Sequence, residues 1–405
     1  MVEAGLIIQR REYFIIGVND QLKKIMIIYA DSGAGHRRAA EALYQVVTAY
    51  YPAAQVRLFD ALQYTTAVFR RNYPRTYLYM VNHCPWLWGS FYHMLDNGRV
   101  DRISRAFRRQ TNAQHCRKLE RYLLHEQPDL VLTTHFLPNE IITHLKRRHG
   151  FRTFLATCIT DYYPHIFWRD SGVDLYFTPH AELTPCLIEM GIPAERIRTL
   201  GIPIAPIFGQ PGDRAGLRQK LGLDGRMTVL ITSGGFGVGP VQDLVMELDR
   251  VAKPLQILVI CGKNPRLQAE LTERTARAHQ SFKIYGFVDN MHELMEASDV
   301  MISKSGGLTV TEAMAKGLPL LVLHPIPGQE AGNCAFLVRH GAGIQVKDAD
   351  QAREVLERLL EHPAELASLR ENMRQLGRPN AARDILAAIQ REKQSLHSGG
   401  GNYSN

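Results

Sequence analysis

Short apolar runs of strand length alternate with stretches of helical periodicity along most of the chain, the pattern of parallel sheets covered by helices. In the first half, KIMIIYA at 24–30 predicts a buried strand that ends in the glycine turn DSGAGH at 31–36. The residues after that turn put Ala39, Ala40, Leu43, Val46 and Val47 on one face of a helix. Further strands are expected at 55–59, 129–133, 153–160 and 174–178. The second half restarts with MTVLITS at 227–233, again running straight into glycines. Its later strands are expected at 255–260, 282–285, 300–303, 320–323 and 344–346. Prolines and glycines between the two series mark a linker. The expected architecture is α/β, with two Rossmann-like domains facing a cleft. The divisions are an unassigned extension at 1–20, an N-terminal domain at 21–202, a linker at 203–225 and a C-terminal domain at 226–375. A helix at 376–395, after a break at Gly377-Arg378-Pro379, and a disordered tail at 396–405 complete the chain.

Composition alters this picture little. A length of 405 residues suits two domains, and 45% hydrophobic with 22% charged residues is a globular balance. The six cysteines lie far apart with no CxxC pair and no zinc-type histidine spacing, so they read as reduced thiols. No apolar stretch approaches the roughly 20 residues that span a bilayer, and no signal-peptide core follows Arg10 and Arg11. A cytoplasmic protein, peripheral to the membrane at most, is expected.

Charge alters it more. Between residues 69 and 121 there are eleven basic and three acidic residues, an excess equal to the net charge of +8 for the whole chain. The bases include Arg70, Arg71, Arg105, Arg108 and Arg109, and they are interleaved with aromatics such as Trp86 and Trp88. Arginine beside tryptophan and tyrosine suits a surface of anionic lipid head groups. A helical arm with solvated arginines, or a nucleic-acid surface, fits the same residues.

Candidate chemistry sits where ligands bind in open α/β sheets, beyond the carboxyl ends of strands. Gly33 and Gly35 allow close backbone approach, and His36 falls in the first helical turn, where the positive helix end favours a neutral imidazole able to accept a proton. The loop SGGFGVGP at 233–240, with Gly235, Gly237 and Gly239, leads to a helix N-terminus and can cradle a diphosphate. It has neither the GxGxxG spacing of a dinucleotide site nor a P-loop lysine. In KSGGLTVTEA at 304–313, Lys304, Ser305 and Gly306 precede a helix with Glu312 near its start, placed to accept ribose hydroxyls or simply to cap the helix. In HPIPGQEAGN at 324–333, Gln329, Glu330 and Asn333 can hydrogen-bond sugar hydroxyls. The DxD spacing at Asp348 and Asp350 precedes a polar helix, where such acids act as caps, so no metal is expected.

These motifs, together with ITD at 159–161, HIFW at 165–168, LGIPI at 200–204 and YGFVDNM at 285–291, resemble the diacylglycerol glycosyltransferases over roughly residues 24–375. That family includes the monogalactosyldiacylglycerol synthases and bacterial diacylglycerol glucosyltransferases of GT-B fold. The resemblance implies inverting, metal-independent transfer of glucose or galactose from a UDP-sugar to diacylglycerol at an anionic membrane surface, with no cofactor and no nucleic acid. By matching motif, His36 would be the base and Asp161 would lie on the acceptor side with Gly33 and Gly35. Glu312 would hold the ribose, Gln329 and Glu330 the hexose, and the backbone at Phe287 and Val288 the uracil. Gly235 to Gly239, Ser305 and Gly306 would line the diphosphate. The family's linker arginine after GIPI is replaced by Ala205; if that arginine helps position phosphate, the role is either missing here or passes to a residue such as Lys304. A polyprenyl-linked acceptor, as in lipid II synthesis, and a catalytically inactive UDP- or lipid-binding protein are the alternatives.

Overall fold

The structure, a computed structural model, describes residues 22–31, 33–73, 110–112, 114–163, 165–232 and 241–398. The loop 233–240 with Gly235, Gly237 and Gly239 lies outside them, as do Trp86, Trp88, Arg105, Arg108, Arg109, residues 1–20 and the final residues 399–405. Arg70 and Arg71 are described, and both are exposed.

Two six-stranded sheets form, parallel throughout. The first contains β1 Lys24–Tyr29, β2 Gln55–Asp60, β3 Leu130–Thr133, β4 Phe154–Cys158, β5 Leu175–Thr178 and β6 Ile197–Thr199, in the order β2-β1-β3-β4-β5-β6. The second contains β7 Met227–Thr232, β8 Leu255–Ile260, β9 Ser281–Tyr285, β10 Val300–Ser303, β11 Leu320–Leu323 and β12 Gly343–Val346. Its order, β12-β11-β10-β7-β8-β9, is that of a nucleotide-binding sheet, with strand order reversing between β7 and β10. In the first sheet the reversal falls between β1 and β3. Each reversal leaves a crevice at the carboxyl ends of its two strands, and the glycine turns after β1 and β10 open there.

The central strands are continuous runs of Ile, Leu, Val and Met because both of their faces are covered. Met26 and Ile28 face one core with Leu119, Leu123 and Ile142, while Ile25 and Ile27 face another with Leu43, Val46 and Val47. Strand β6 was not expected from the sequence. It has three residues, with only Ile197 buried, too little for an apolar run to register.

The helix Pro363–Leu376 ends at Gly377, and the chain restarts as the helix Ala381–Ser398. That last helix packs on the first half. Ile385, Leu386 and Ile389 are buried beside Leu43 and Val47 of the helix Ala34–Tyr50. Gln390 donates to the Tyr51 hydroxyl at 2.8 Å, and Arg198 pairs with Glu392 at 3.0 Å. Among the described residues no helix is long and apolar enough to cross a membrane.

Candidate active site

The turn after β1 delivers His36 into the helix Ala34–Tyr50, which starts with no side-chain cap at Gly33. His36 Nδ1 lies 2.7 Å from the Thr134 carbonyl oxygen and 3.1 Å from Thr160 Oγ1. A carbonyl only accepts, so the proton is on Nδ1 and the Nε2 lone pair is free to take another. Thr134 Oγ1 donates back to the His36 carbonyl at 2.8 Å, and the His135 ring meets the His36 ring edge-on at 4.7 Å. Burial lowers the His36 pKa to about 4, against small opposing contributions from the Thr134 hydrogen bond and Asp31. Desolvation therefore favours the neutral imidazole that the sequence leads one to expect.

His36 opens on a cavity of about 620 Å³ between the two halves. Gly33, Gly35, Thr160 and Asp161 line it from the first half, with an apolar wall that includes Val68, Phe69, Tyr73, Phe136 and Phe167. From the second half come Gly306, Gly307, Leu308, Gln329 and Glu330. The helix Gly307–Ala315 has no side-chain cap at Gly306, so its first-turn amides are directed at this space, a natural anion-binding arrangement.

Asp161 is buried, its pKa raised to about 7 by desolvation in spite of a hydrogen bond from Asn333. Glu330 is also raised by burial, although its Oε2 accepts the Ile326 amide at 3.0 Å and Lys304 acts on it electrostatically. Glu312 was expected near the start of its helix, either as ligand or as cap. It is the sixth residue of a nine-residue helix, caps nothing, and is 5% exposed. Its pKa is raised to about 7 by burial, and the nearest opposite charge is Arg38 Nη1 of the other half at 3.9 Å. Asp348 does act as a cap, accepting from the Gln351 amide at 2.9 Å.

Other expected residues fall elsewhere. Phe287 is 61% exposed beyond β9, with Lys263 Nζ 5.4 Å above its ring, while Val288 packs on the second-half core. Neither lines the cavity. Ala205 is packed against that same core.

Asn333 requires a correction. It was expected to present its amide to a sugar, but it is fully buried at the junction of the halves. Its Nδ2 donates to Asp161 Oδ1 at 3.1 Å and to the Ser305 carbonyl at 2.9 Å, and its Oδ1 accepts the Tyr162 amide at 2.6 Å. Both amide hydrogens are used, so it binds one half to the other. The Ser305 hydroxyl is likewise committed, donating to the Glu330 carbonyl at 2.7 Å. Sequence reasoning missed this junction, and with it Tyr162, whose hydroxyl lies 3.0 Å from Thr311 Oγ1 and whose ring stacks on Phe336 at 4.5 Å. It also missed Thr134 and His135, although they are the two residues that follow β3, and it registered Thr160 only as a strand end and part of the ITD motif.

Gly307 marks the closest approach. A Cβ there would overlap the Thr160 carbonyl oxygen. Gly307→Ala should cost about 1–3 kcal/mol, typical of overpacking, seen as a lower melting temperature. Unchanged melting and turnover would mean that the halves do not meet this closely.

The family model of monogalactosyldiacylglycerol (MGDG) synthase matches residues 36–204, and that of the glycosyltransferase family 28 C-terminal domain matches residues 228–389. The chain is 30% identical over 382 residues to a processive diacylglycerol beta-glucosyltransferase of Bacillus cytotoxicus, covering 92% of this chain and 94% of that protein. The chain belongs to the diacylglycerol glycosyltransferase family. A probable chloroplastic monogalactosyldiacylglycerol synthase of Glycine max is 31% identical over 381 residues, with 90% and 70% of the two chains covered. Among solved structures, Acinetobacter baumannii MurG superposes with a TM-score of 0.57 at 16% identity, covering 91% of this chain and 99% of that one. That likeness is one of fold, the two-domain GT-B architecture. The protein is a glycosyltransferase.

Proposed function

We propose that this enzyme transfers glucose or galactose from a UDP-sugar to the hydroxyl of diacylglycerol, with inversion and without a metal or other cofactor. The observation that carries the reading is His36. A neutral imidazole with its proton fixed on Nδ1 by Thr134 stands in a cavity whose other wall is an uncapped helix N-terminus. A base on one side and an anion-stabilising amide end on the other are the two parts a direct displacement needs.

The acceptor hydroxyl would give its proton to Nε2, and the Thr134 carbonyl would steady the imidazolium that forms. Gly33, Gly35 and Asp161 would border the glycerol, and the apolar wall from Val68 to Phe167 suits acyl chains. On the donor side, Gly306 with Gly235, Gly237 and Gly239 would receive the diphosphate, Glu312 the ribose, and Gln329 and Glu330 the hexose. Lys304 would take the phosphate role left open by Ala205, Ser305, its hydroxyl committed to the Glu330 carbonyl, would border the diphosphate, and the backbone at Phe287 and Val288 would meet the uracil. Arg70 and Arg71, with Arg105, Arg108, Arg109, Trp86 and Trp88, would hold the enzyme on the cytoplasmic face of an anionic membrane.

Purified protein incubated with diacylglycerol in anionic vesicles and either UDP-glucose or UDP-galactose should yield hexosyl-diacylglycerol, detected by mass spectrometry of extracted lipid. The better donor names the sugar. Product formed only with a polyprenyl-linked acceptor would overturn the assignment of diacylglycerol, and UDP binding without product from either acceptor would overturn that of catalysis.

A further inference from the structure

Away from the cavity, the two halves meet again at three potential metal ligands. His180 and Glu182 follow β5 in the first half, and His340 follows the helix Gln329–Arg339 in the second. One ligand atom from each lies within 4.8 Å of the other two. The His180 and His340 rings are 5.1 Å apart in an edge-on arrangement. His340 Nε2 lies 2.7 Å from Glu182 Oε1. That nitrogen is shielded from solvent, and Glu182 Oε1 is the group it faces. The second carboxylate oxygen, Oε2, is held at 2.9 Å by Arg339, which leaves Oε1 turned toward the imidazoles.

Two imidazoles and a carboxylate form a ligand set for a borderline divalent ion such as Zn²⁺, with solvent able to complete the coordination. At bonds of about 2.0–2.2 Å and a tetrahedral angle, donor atoms sit roughly 3.3–3.6 Å apart, so small rotations of these partly exposed side chains, opening the 2.7 Å pair and drawing the wider ones in, would close the set. Arg339 acts as an outer partner that fixes the carboxylate, the usual way such ligands are oriented.

We propose that His180, Glu182 and His340 bind one Zn²⁺-class ion that clips the first half to the second. The ion has no part in the transfer chemistry. It would favour the arrangement in which Tyr162 stacks on Phe336, because Phe336 also packs against both His180 and His340, with ring centroids at 5.0 and 4.6 Å. An ion bound only when both halves contribute ligands shifts the population toward the closed form.

The test is equilibrium dialysis of the full chain, stripped of metal by chelation, against micromolar Zn²⁺, with metal content and melting temperature as readouts. One ion per chain is expected, with a rise in melting temperature. His180→Ala and His340→Ala should each weaken binding by at least about tenfold and abolish the rise, while His279→Ala, which removes an exposed imidazole just before β9 and outside the group, should leave both unchanged. Circular dichroism of the metal-free variants confirms that they fold. Failure of the wild type to bind one ion, or retention of wild-type affinity by either histidine variant, would overturn the proposal. Hexosyl transfer need not be measured, so this result is independent of the identity of the acceptor.

Discussion

His36→Ala should lower turnover by about a hundredfold or more, the range for loss of a general base, with little change in UDP affinity. The side chain stands on the acceptor side of the cavity, and no donor contact is assigned to it. Burial holds the imidazole at about 4, so the base is in its active, unprotonated form throughout the neutral range. The acidic limb of the rate profile attributable to His36 should therefore fall toward pH 4, well below the 6.5 of an exposed histidine. Turnover of the variant within a few fold of wild type would remove His36 from the chemistry. A limb near 6.5 would place the working imidazole in water rather than in its desolvated setting.

Glu312→Gln should separate binding from stability. Charge-assisted hydrogen bonds to ribose hydroxyls are worth about 1.5–3 kcal/mol, so UDP affinity should fall roughly ten- to a hundredfold. The ligand-free protein should respond in the opposite direction. Burial raises this carboxyl from 4.5 to about 7, so the folded protein binds its proton more tightly than the unfolded chain does. The stability this provides is complete below about pH 4.5 and is lost as pH rises toward 7. Glutamine keeps the shape without the ionisation. The variant should melt near wild type at pH 4.5 and be more stable at pH 8, by on the order of 3 kcal/mol. Unchanged UDP affinity would dismiss the ribose contact, and a pH-independent melting difference would dismiss the buried acid.

The strands were legible because a parallel sheet buried on both faces writes itself as unbroken apolar runs. Those at Leu255–Ile260, Val300–Ser303 and Leu320–Leu323 fall on the expected residues. Half of the His36 argument was legible too, since a histidine behind a glycine turn at a strand end can be read from local order. Its protonation depends on Thr134, which is distant in sequence, and on how little water reaches the ring. Neither is visible in a periodicity. Asn333 shows the same limit more sharply. An exposed polar loop and a buried bridge have the same local sequence, and only the approach of Asp161, Tyr162 and Ser305 decides between them. Glu312 was recognisable as important, but its place in the middle of the helix was not, because the helix already starts at Gly307, the second glycine of the expected turn. The possible metal ligands were invisible for a related reason, since His180 and His340 belong to different halves.

The last helix, Ala381–Ser398, covers the first half of the molecule with Ile385, Leu386 and Ile389. This has a consequence for biosynthesis. Domains commonly fold in turn, N-terminal first, as a chain is made, but here the N-terminal of the two domains lacks part of its own cover until the helix Ala381–Ser398 has emerged. The apolar face around Leu43 and Val47 stays open throughout translation of the second domain. Premature termination before residue 381 would thus leave two translated domains with an uncovered N-terminal core, a substrate for chaperones and proteases.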